Sequence, residues 1–375
     1  MEVNIFFCNG FMSALASCFI ADHLKSINPN SVSYLCVEQN ARVEPGYYEV
    51  LDVFIEQNQN FKKVIKVKTE CRDMTLIRPI EFIKNVSYYK NKANILAASI
   101  GESLRSKKVI IWAPTTTRIW PFLLKKGGKF NLIEHGLGEY CRASVYKKGS
   151  FKSKLMNYIQ SLFGYARIDS CDSIWLCSNA VKMSADENIV QINFASLFIQ
   201  YVNSFWHDYK SKFPLAAEEL NVLAAQFQKL GSDVYLYLPS DEIRYEQYAQ
   251  FARDQIIALG LKKNTTLVIK KHPGSVRTDY GMHLTQYANI INIVELENCN
   301  IPAEFIVKIL KINKVVGSAS STLYYLNSWL PNVATHIYND YDQKMLTHES
   351  RQLKKQLGEL GLINRVLSSR GTSVI

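Results

Sequence analysis

Apolar residues run almost unbroken through Val3-Asn4-Ile5-Phe6-Phe7-Cys8 and stop at Asn9-Gly10, the pattern of a strand buried on both faces. Met12, Leu15, Ala16, Phe19, Ile20 and Leu24 then recur at helical spacing, and a second apolar run, Val32-Ser33-Tyr34-Leu35-Cys36-Val37, follows. The chain therefore opens as a βαβ unit. Further strands are expected at Lys63–Val67, Val109–Ala113 and Phe130–Glu134, with helical patterns near 80–105 and 117–126. Residues 141–232 are less regular, with one short strand at Ser173–Cys177, helical stretches at 150–163 and 215–230, and a domain linker expected between Asp208 and Ser232. A second alternation begins at Asp233–Leu238 and continues through a helix at 244–259, a strand at Leu267-Val268-Ile269 and another at Ile290–Val294. A helix over 302–311, strands at Lys314–Gly317 and Val333–Ile337 and an amphipathic helix over 342–368 complete it. The pattern reads as α/β, with two Rossmann-like domains facing a cleft: an N-terminal domain at 1–210, a C-terminal domain at 233–345 and a terminal helix at 346–375.

Composition narrows this picture only slightly. The 375 residues, 47% of them hydrophobic, suffice for two buried cores. With 44 Lys+Arg against 33 Asp+Glu the net charge is +11, a field that favours anionic partners without choosing among nucleotides, acidic glycans, lipid or nucleic acid. The eight cysteines are scattered, several inside apolar runs and none in a C-x-x-C pair, which reads as reduced core thiols of a cytoplasmic protein. Met1-Glu2-Val3-Asn4 lacks a basic leader, and no apolar run reaches the roughly 18 residues of a membrane span; the expectation is a chain neither secreted nor transmembrane.

Three segments carry the chemistry. Lys270-Lys271-His272-Pro273-Gly274, with Arg277 beyond, follows an apolar strand, so a histidine and up to three cations sit at a strand's carboxyl end, where open α/β sheets bind ligands. Ser318-Ala319-Ser320-Ser321-Thr322 follows the strand ending at Gly317 and opens a helix; such a helix start offers hydroxyls and free N–H groups to a phosphate, or is simply capped by them. Glu134-His135-Gly136-Leu137-Gly138-Glu139 ends a strand in the first half, where glycines let a loop present a carboxylate or an imidazole. No Gly-x-Gly-x-x-Gly follows the first strand, which argues against a dinucleotide site there.

In order and rough spacing, Glu134-His135-Gly136, His272-Pro273 and the Ser318–Thr322 cluster resemble the bacterial polysialyltransferases and lipooligosaccharide sialyltransferases. These share an acidic D/E-D/E-G motif, an H-P motif and a Ser/Thr-rich motif. The resemblance implies GT-B architecture, a CMP-activated nine-carbon keto-sugar acid as donor, a glycan or glycolipid acceptor, and transfer with neither metal nor cofactor. It implies catalytic roles for Glu134, His135 and His272. A nucleotide would be held by Lys270, Lys271, Pro273, Gly274, Ser318, Ser320, Ser321 and Thr322, with Glu304 against the ribose hydroxyls. Asn9, Gly10, Gly136 and Glu139 would line the acceptor side.

Here a histidine, His135, stands where the motif has its second acid. Glu134, His135 or Glu139 can then serve as the base, and related nonulosonates or Kdo share the CMP leaving group. No ligand spacing for a metal is present, and a monophosphate leaving group needs none. Lys147, Lys148, Lys152, Lys154 and Arg167 surround an apolar helix face over 150–163; this suits either a surface helix packed on its domain or a helix lying on an anionic bilayer at the inner membrane. No nucleic-acid-binding motif accompanies the charge. The reading is thus a CMP-sialic acid or related glycosyltransferase of capsule or lipooligosaccharide synthesis. The alternatives are a CMP-Kdo transferase, a CDP-alditol phosphotransferase, and a non-catalytic basic module for anionic lipid or glycan.

Overall fold

The computed structural model describes residues 2–41, 43, 45–70, 79–104, 108–124, 128–136, 171–178, 188–230, 233–239, 261, 264–271, 284, 291–297, 299–317 and 321–337. The chain divides into two compact units, Met1–Phe194 and Ala195–Ile375.

In the first unit, β1 (Glu2–Cys8), α1 (Phe11–Ile27), β2 (Val32–Asn40), α2 (Pro45–Glu56), β3 (Phe61–Thr69) and α3 (Pro79–Ile100) precede β4 (Lys108–Ala113) and β5 (Lys129–Ile133). After them come β6 (Ser173–Leu176) and β7 (Ile189–Gln191). The sheet order is β3-β2-β1-β4-β5-β6-β7, and every pair is parallel. Val3, Ile5, Phe6, Phe7 and Cys8 have no exposed surface, as a central strand covered by helices on both faces demands. Aromatic side chains fill one face: Phe6 stacks on Trp112 with ring centroids 5.5 Å apart, and Trp112 meets Trp175 edge-on at 5.2 Å. Three polar side chains in this layer find acceptors. Trp112 Nε1 donates to Asn4 Oδ1 at 2.9 Å, Trp175 Nε1 to Ser173 Oγ at 2.9 Å, and Ser173 Oγ to Asn131 Oδ1 at 2.7 Å.

The second unit begins with two helices, α4 (Ala195–Lys212) and α5 (Pro214–Leu230), followed by β8 (Val234–Leu238) and β9 (Thr265–Ile269). Next come β10 (Ile291–Glu295), α6 (Ala303–Ile309), β11 (Lys314–Gly317), α7 (Ser321–Trp329) and β12 (Ala334–Ile337). This sheet is also parallel, in the order β10-β9-β8-β11-β12. Gly317 is fixed by packing, because a Cβ there would lie 3.0 Å from the Leu238 carbonyl oxygen on the neighbouring strand.

The strand expectations agree with the structure apart from β7, which the pattern missed, and Glu134, which lies just past β5. Two other expectations are corrected. The helical pattern near 117–126 is only a 3-10 turn at Trp120–Phe122, because Thr117 folds back onto the Pro114 carbonyl and a carboxylate takes the N–H groups of Arg118 and Ile119. Helix α2 carries no sequence expectation. The linker expected between Asp208 and Ser232 is occupied by α4 and α5, and the division falls at Phe194. Helix α4 belongs to the second unit: Phe198 stacks on Trp329 at 4.8 Å, and Phe205 meets Phe305 at 5.1 Å. The helices expected at 150–163, 244–259 and 342–368 lie outside the described residues.

Phe198 has no exposed surface, so Phe198→Ala is expected to destabilise the second unit by about 3–5 kcal/mol, read by denaturant unfolding. A fragment starting at Ala195 should unfold cooperatively, and one starting at Asp233 should not.

Candidate functional site

In each parallel sheet the strand order reverses at one place, and the carboxyl ends of the strands there form the ligand edge. In the first unit that place lies between β1 and β4. Asn9 and Gly10 follow β1 directly, as expected, and the loop they form is built from three directions. Ser13 Oγ accepts from the N–H groups of Asn9 and Gly10 at 3.2 and 3.3 Å, Tyr47 OH of α2 accepts from Phe11 N–H at 2.8 Å, and Thr116 Oγ1 donates to Asn9 Oδ1 at 3.1 Å. Gly10 makes a tight approach, since a Cβ there would lie 3.2 Å from Tyr47 OH.

Sequence reasoning passed over the other half of this edge. Glu38, near the end of β2, is 4% exposed. Its carboxylate oxygens accept from Arg118 N–H at 3.1 and 3.0 Å and from Ile119 N–H at 2.9 Å, which fixes the loop after β4. Burial pushes the Glu38 carboxyl up to about 7, and these N–H groups and the Arg118 charge oppose the rise. The available signal was Pro114-Thr115-Thr116-Thr117-Arg118 directly after a strand, the kind of polar strand end that drew attention in the second half.

Glu134 and His135 emerge from β5. Glu134 has no exposed surface; its N–H donates to the Trp175 carbonyl at 3.0 Å, and its Oε2 accepts from Cys177 N–H at the end of β6. The motif carboxylate is therefore held in one orientation by main chain. Burial, with the Glu134 charge added, pushes the Cys177 thiol up. His135 and Gly136 are half-buried, and a Cβ on Gly136 would meet nothing within 4 Å. Packing thus does not demand glycine there, and the loop start has open space. Glu139 lies outside the described residues.

In the second unit the reversal lies between β8 and β11, and residues far apart in sequence converge there. Lys270, at the end of β9, is 3% exposed, and its Nζ donates to the carbonyls of Cys299 at 3.0 Å and Lys271 at 3.4 Å. Glu304, in the first turn of α6, is 5% exposed and accepts hydrogen bonds from its own N–H and from the Thr322 hydroxyl at the start of α7. Burial pushes the Lys270 amine down and the Glu304 carboxyl up, while each partner's charge opposes the shift of the other. Buried Lys270 and Glu304 form one cluster with Thr322, which like Ser321 is half-buried. Lys270, expected as a phosphate cation, is instead committed to main-chain carbonyls that shape the approach to α6, while Lys271 is half-buried beyond it. His272, Pro273, Gly274, Arg277, Ser318 and Ser320 lie outside the described residues. Among the described residues no group of three or more His, Cys, Asp or Glu side chains is placed to hold a metal ion.

The family model of alpha-2,8-polysialyltransferase (POLYST) matches residues 4–339. The chain belongs to this family. No curated protein matches it significantly in sequence. Among solved structures it is similar to the α/β-galactoside α-2,3-sialyltransferase of Photobacterium phosphoreum, at 16% identity and a TM-score of 0.50 over 97% of this chain and 96% of the other. A sialyltransferase GT-B domain from Photobacterium damselae matches at 14% identity and a TM-score of 0.50, over 96% of each chain. A UGT transferase from Siraitia grosvenorii matches at 9% identity and a TM-score of 0.51, over 96% of this chain and 85% of the other. At these identities the likeness establishes the fold, which is of GT-B type. The chain is thus a glycosyltransferase of the sialyltransferase class, and the Kdo, alditol-phosphate and non-catalytic readings are not favoured.

Glu38 titrates at about 7 in the folded chain against an ordinary 4.5, so the native state binds the extra proton between these values. Its contribution to stability is fully present below pH 4.5 and is lost as pH rises through about 7. Glu38→Gln should remove this component of the slope of unfolding free energy against pH, measured by urea titrations at stepped pH. An unchanged slope would contradict the assignment.

Proposed function

We propose that this member of the polysialyltransferase family moves sialic acid from a CMP-activated donor to a glycan acceptor, extending a capsular polysaccharide or lipooligosaccharide. The observation that carries the reading is the convergence of Lys270, Glu304 and Thr322 at the reversal point of the second sheet, in a chain of this family. CMP binds in the second unit, with its phosphate on His272 and the Ser320-Ser321-Thr322 helix start and its ribose toward Glu304. The hydroxyls and N–H groups of a helix start suit a phosphate monoanion, and His272 protonates or hydrogen-bonds the departing phosphate oxygen as charge develops there. Glu134 takes the proton from the acceptor hydroxyl; the Cys177 N–H that holds its carboxylate orients it for this. The acceptor lies along Asn9, Gly10 and Gly136. Transfer needs neither metal nor cofactor, because a monophosphate carries less charge than the diphosphates that divalent ions serve.

The membrane part of the reading, which the sequence places on 150–163, outside the described residues, is also supported by α3. Its outer face exposes Ile80, Ile83 and Ile95 by 72, 52 and 57% beside exposed Lys84 and Lys90, a combination suited to an anionic bilayer. No described helix is long and apolar enough to cross a membrane, and contact of this kind is peripheral.

Removing a general base costs on the order of 10²–10⁴-fold in rate. Glu134→Gln should therefore lower kcat steeply in EDTA-containing buffer while CMP affinity by calorimetry stays nearly unchanged, and His272→Ala should weaken both. A larger loss for His135→Ala than for Glu134→Gln would transfer the base role to His135. CDP or UDP binding in place of CMP would sink the donor assignment, and loss on chelation reversed by Mg²⁺ would sink the metal-free part. On vesicles containing phosphatidylglycerol, replacing Lys84 and Lys90 by Glu should reduce co-sedimentation by about tenfold or more, with neutral vesicles as reference; equal binding of both proteins would remove α3 from the membrane contact.

A further inference from the structure

The transfer reading leaves one cation at the ligand edge of the first unit without a task. Arg118 lies in the loop after β4, half-buried between buried Thr117 and Ile119, beside the place where the strand order reverses. Its main-chain position is held by Glu38, whose two oxygens both accept from the Arg118 N–H while one also accepts from Ile119 N–H. That carboxylate is spent on backbone. The guanidinium feels the Glu38 charge but makes no ion pair or hydrogen bond among the described residues. The opposing charge is itself weakened near neutral pH, because burial pushes Glu38 up to about 7. Two residues away, Thr116 is half-buried and its hydroxyl donates to Asn9 Oδ1 at 3.1 Å, so an amide and a hydroxyl lie at the same sheet edge as the cation's loop. A guanidinium on a rigidly held main chain, without a bidentate partner of its own, is matched in geometry to a carboxylate.

We propose that Arg118 binds the carboxylate of a sialic acid residue, with Thr116 and Asn9 hydrogen-bonding the same sugar. The assignment rests on the reading of the protein as a sialic acid transferase, in which both acceptor and donor can bring a nonulosonate carboxylate. It gives the first unit selectivity for an anionic over a neutral glycan, a task that Glu134 and the second-unit cluster do not perform.

The test titrates the full chain in two arms. One uses an α-2,8-linked sialic acid trimer and the same trimer with its carboxylates reduced to alcohols; the other uses CMP-sialic acid against CMP. Arg118→Gln is expected to weaken trimer binding by roughly tenfold to a hundredfold, as loss of a charge-assisted hydrogen-bonded pair does, and to leave the reduced trimer unaffected. Arg118→Lys, which keeps the charge and packing stem but not the fork, should recover only part of the affinity at an unchanged melting midpoint. A loss confined to CMP-sialic acid, with CMP unaffected, supports the carboxylate site and assigns it to the donor. Equal affinities of wild type and Arg118→Gln in both arms, or a wild type that does not distinguish the trimer from its reduced form and CMP-sialic acid from CMP, overturns the proposal. Failure of the transferase reading itself would appear separately, as absence of CMP binding by the wild type.

Discussion

Parallel pairing dictates where chemistry can occur in this protein. Every ladder in both sheets is parallel, so each strand must be followed by a crossover before the next, and within one sheet all carboxyl ends lie along one edge. The central strands are buried by apolar and aromatic side chains. Polar groups collect at the carboxyl edge, and the widest opening there lies where successive crossovers go to opposite sides. Asn9, Thr116 and Arg118 reach that edge in the first unit, and Lys270, Glu304 and Thr322 reach it in the second, from positions remote in sequence.

Ionisable groups at these edges are buried deeply enough that their hydrogen bonds decide their value. Glu38 survives burial because two main-chain N–H groups replace water, and it fixes a loop by doing so. Lys270 survives because two carbonyls accept from its ammonium group and Glu304 supplies opposite charge. Removing one member of such an arrangement strands the other in a low-dielectric site, a loss of about 3–5 kcal/mol for a buried pair. These groups therefore fix the loops at the carboxyl edges of the sheets.

Most strands were legible because a buried parallel strand writes a short continuous apolar run, as at Val3–Cys8 and Leu267–Ile269. Helices were less so. The α2 segment, with Tyr47 and Tyr48 near its start, carries its information in the hydroxyls that accept from Phe11 and Asn40 N–H, and no local period reports that. The linker expectation falls too far along the chain because the polar outer face of α4 hides its inner face, whose Phe198, Phe205 and Tyr209 form an aromatic surface matched to Phe305 and Trp329 of the second unit.

By itself the sequence determined the alternating α/β class, the two-unit plan and the three motif segments, because apolar period, turn residues and clustered hydroxyls or cations are local properties of the chain. Only tertiary structure decided which of those residues meet. It tied buried Lys270 to two carbonyls, held Glu134 by a main-chain N–H at the end of β6, and recruited Glu38 to hold Arg118. Each of these outcomes depends on strand register and on which main-chain donors remain unpaired at a sheet edge, and such pairings across long stretches of chain have no period that one segment can display.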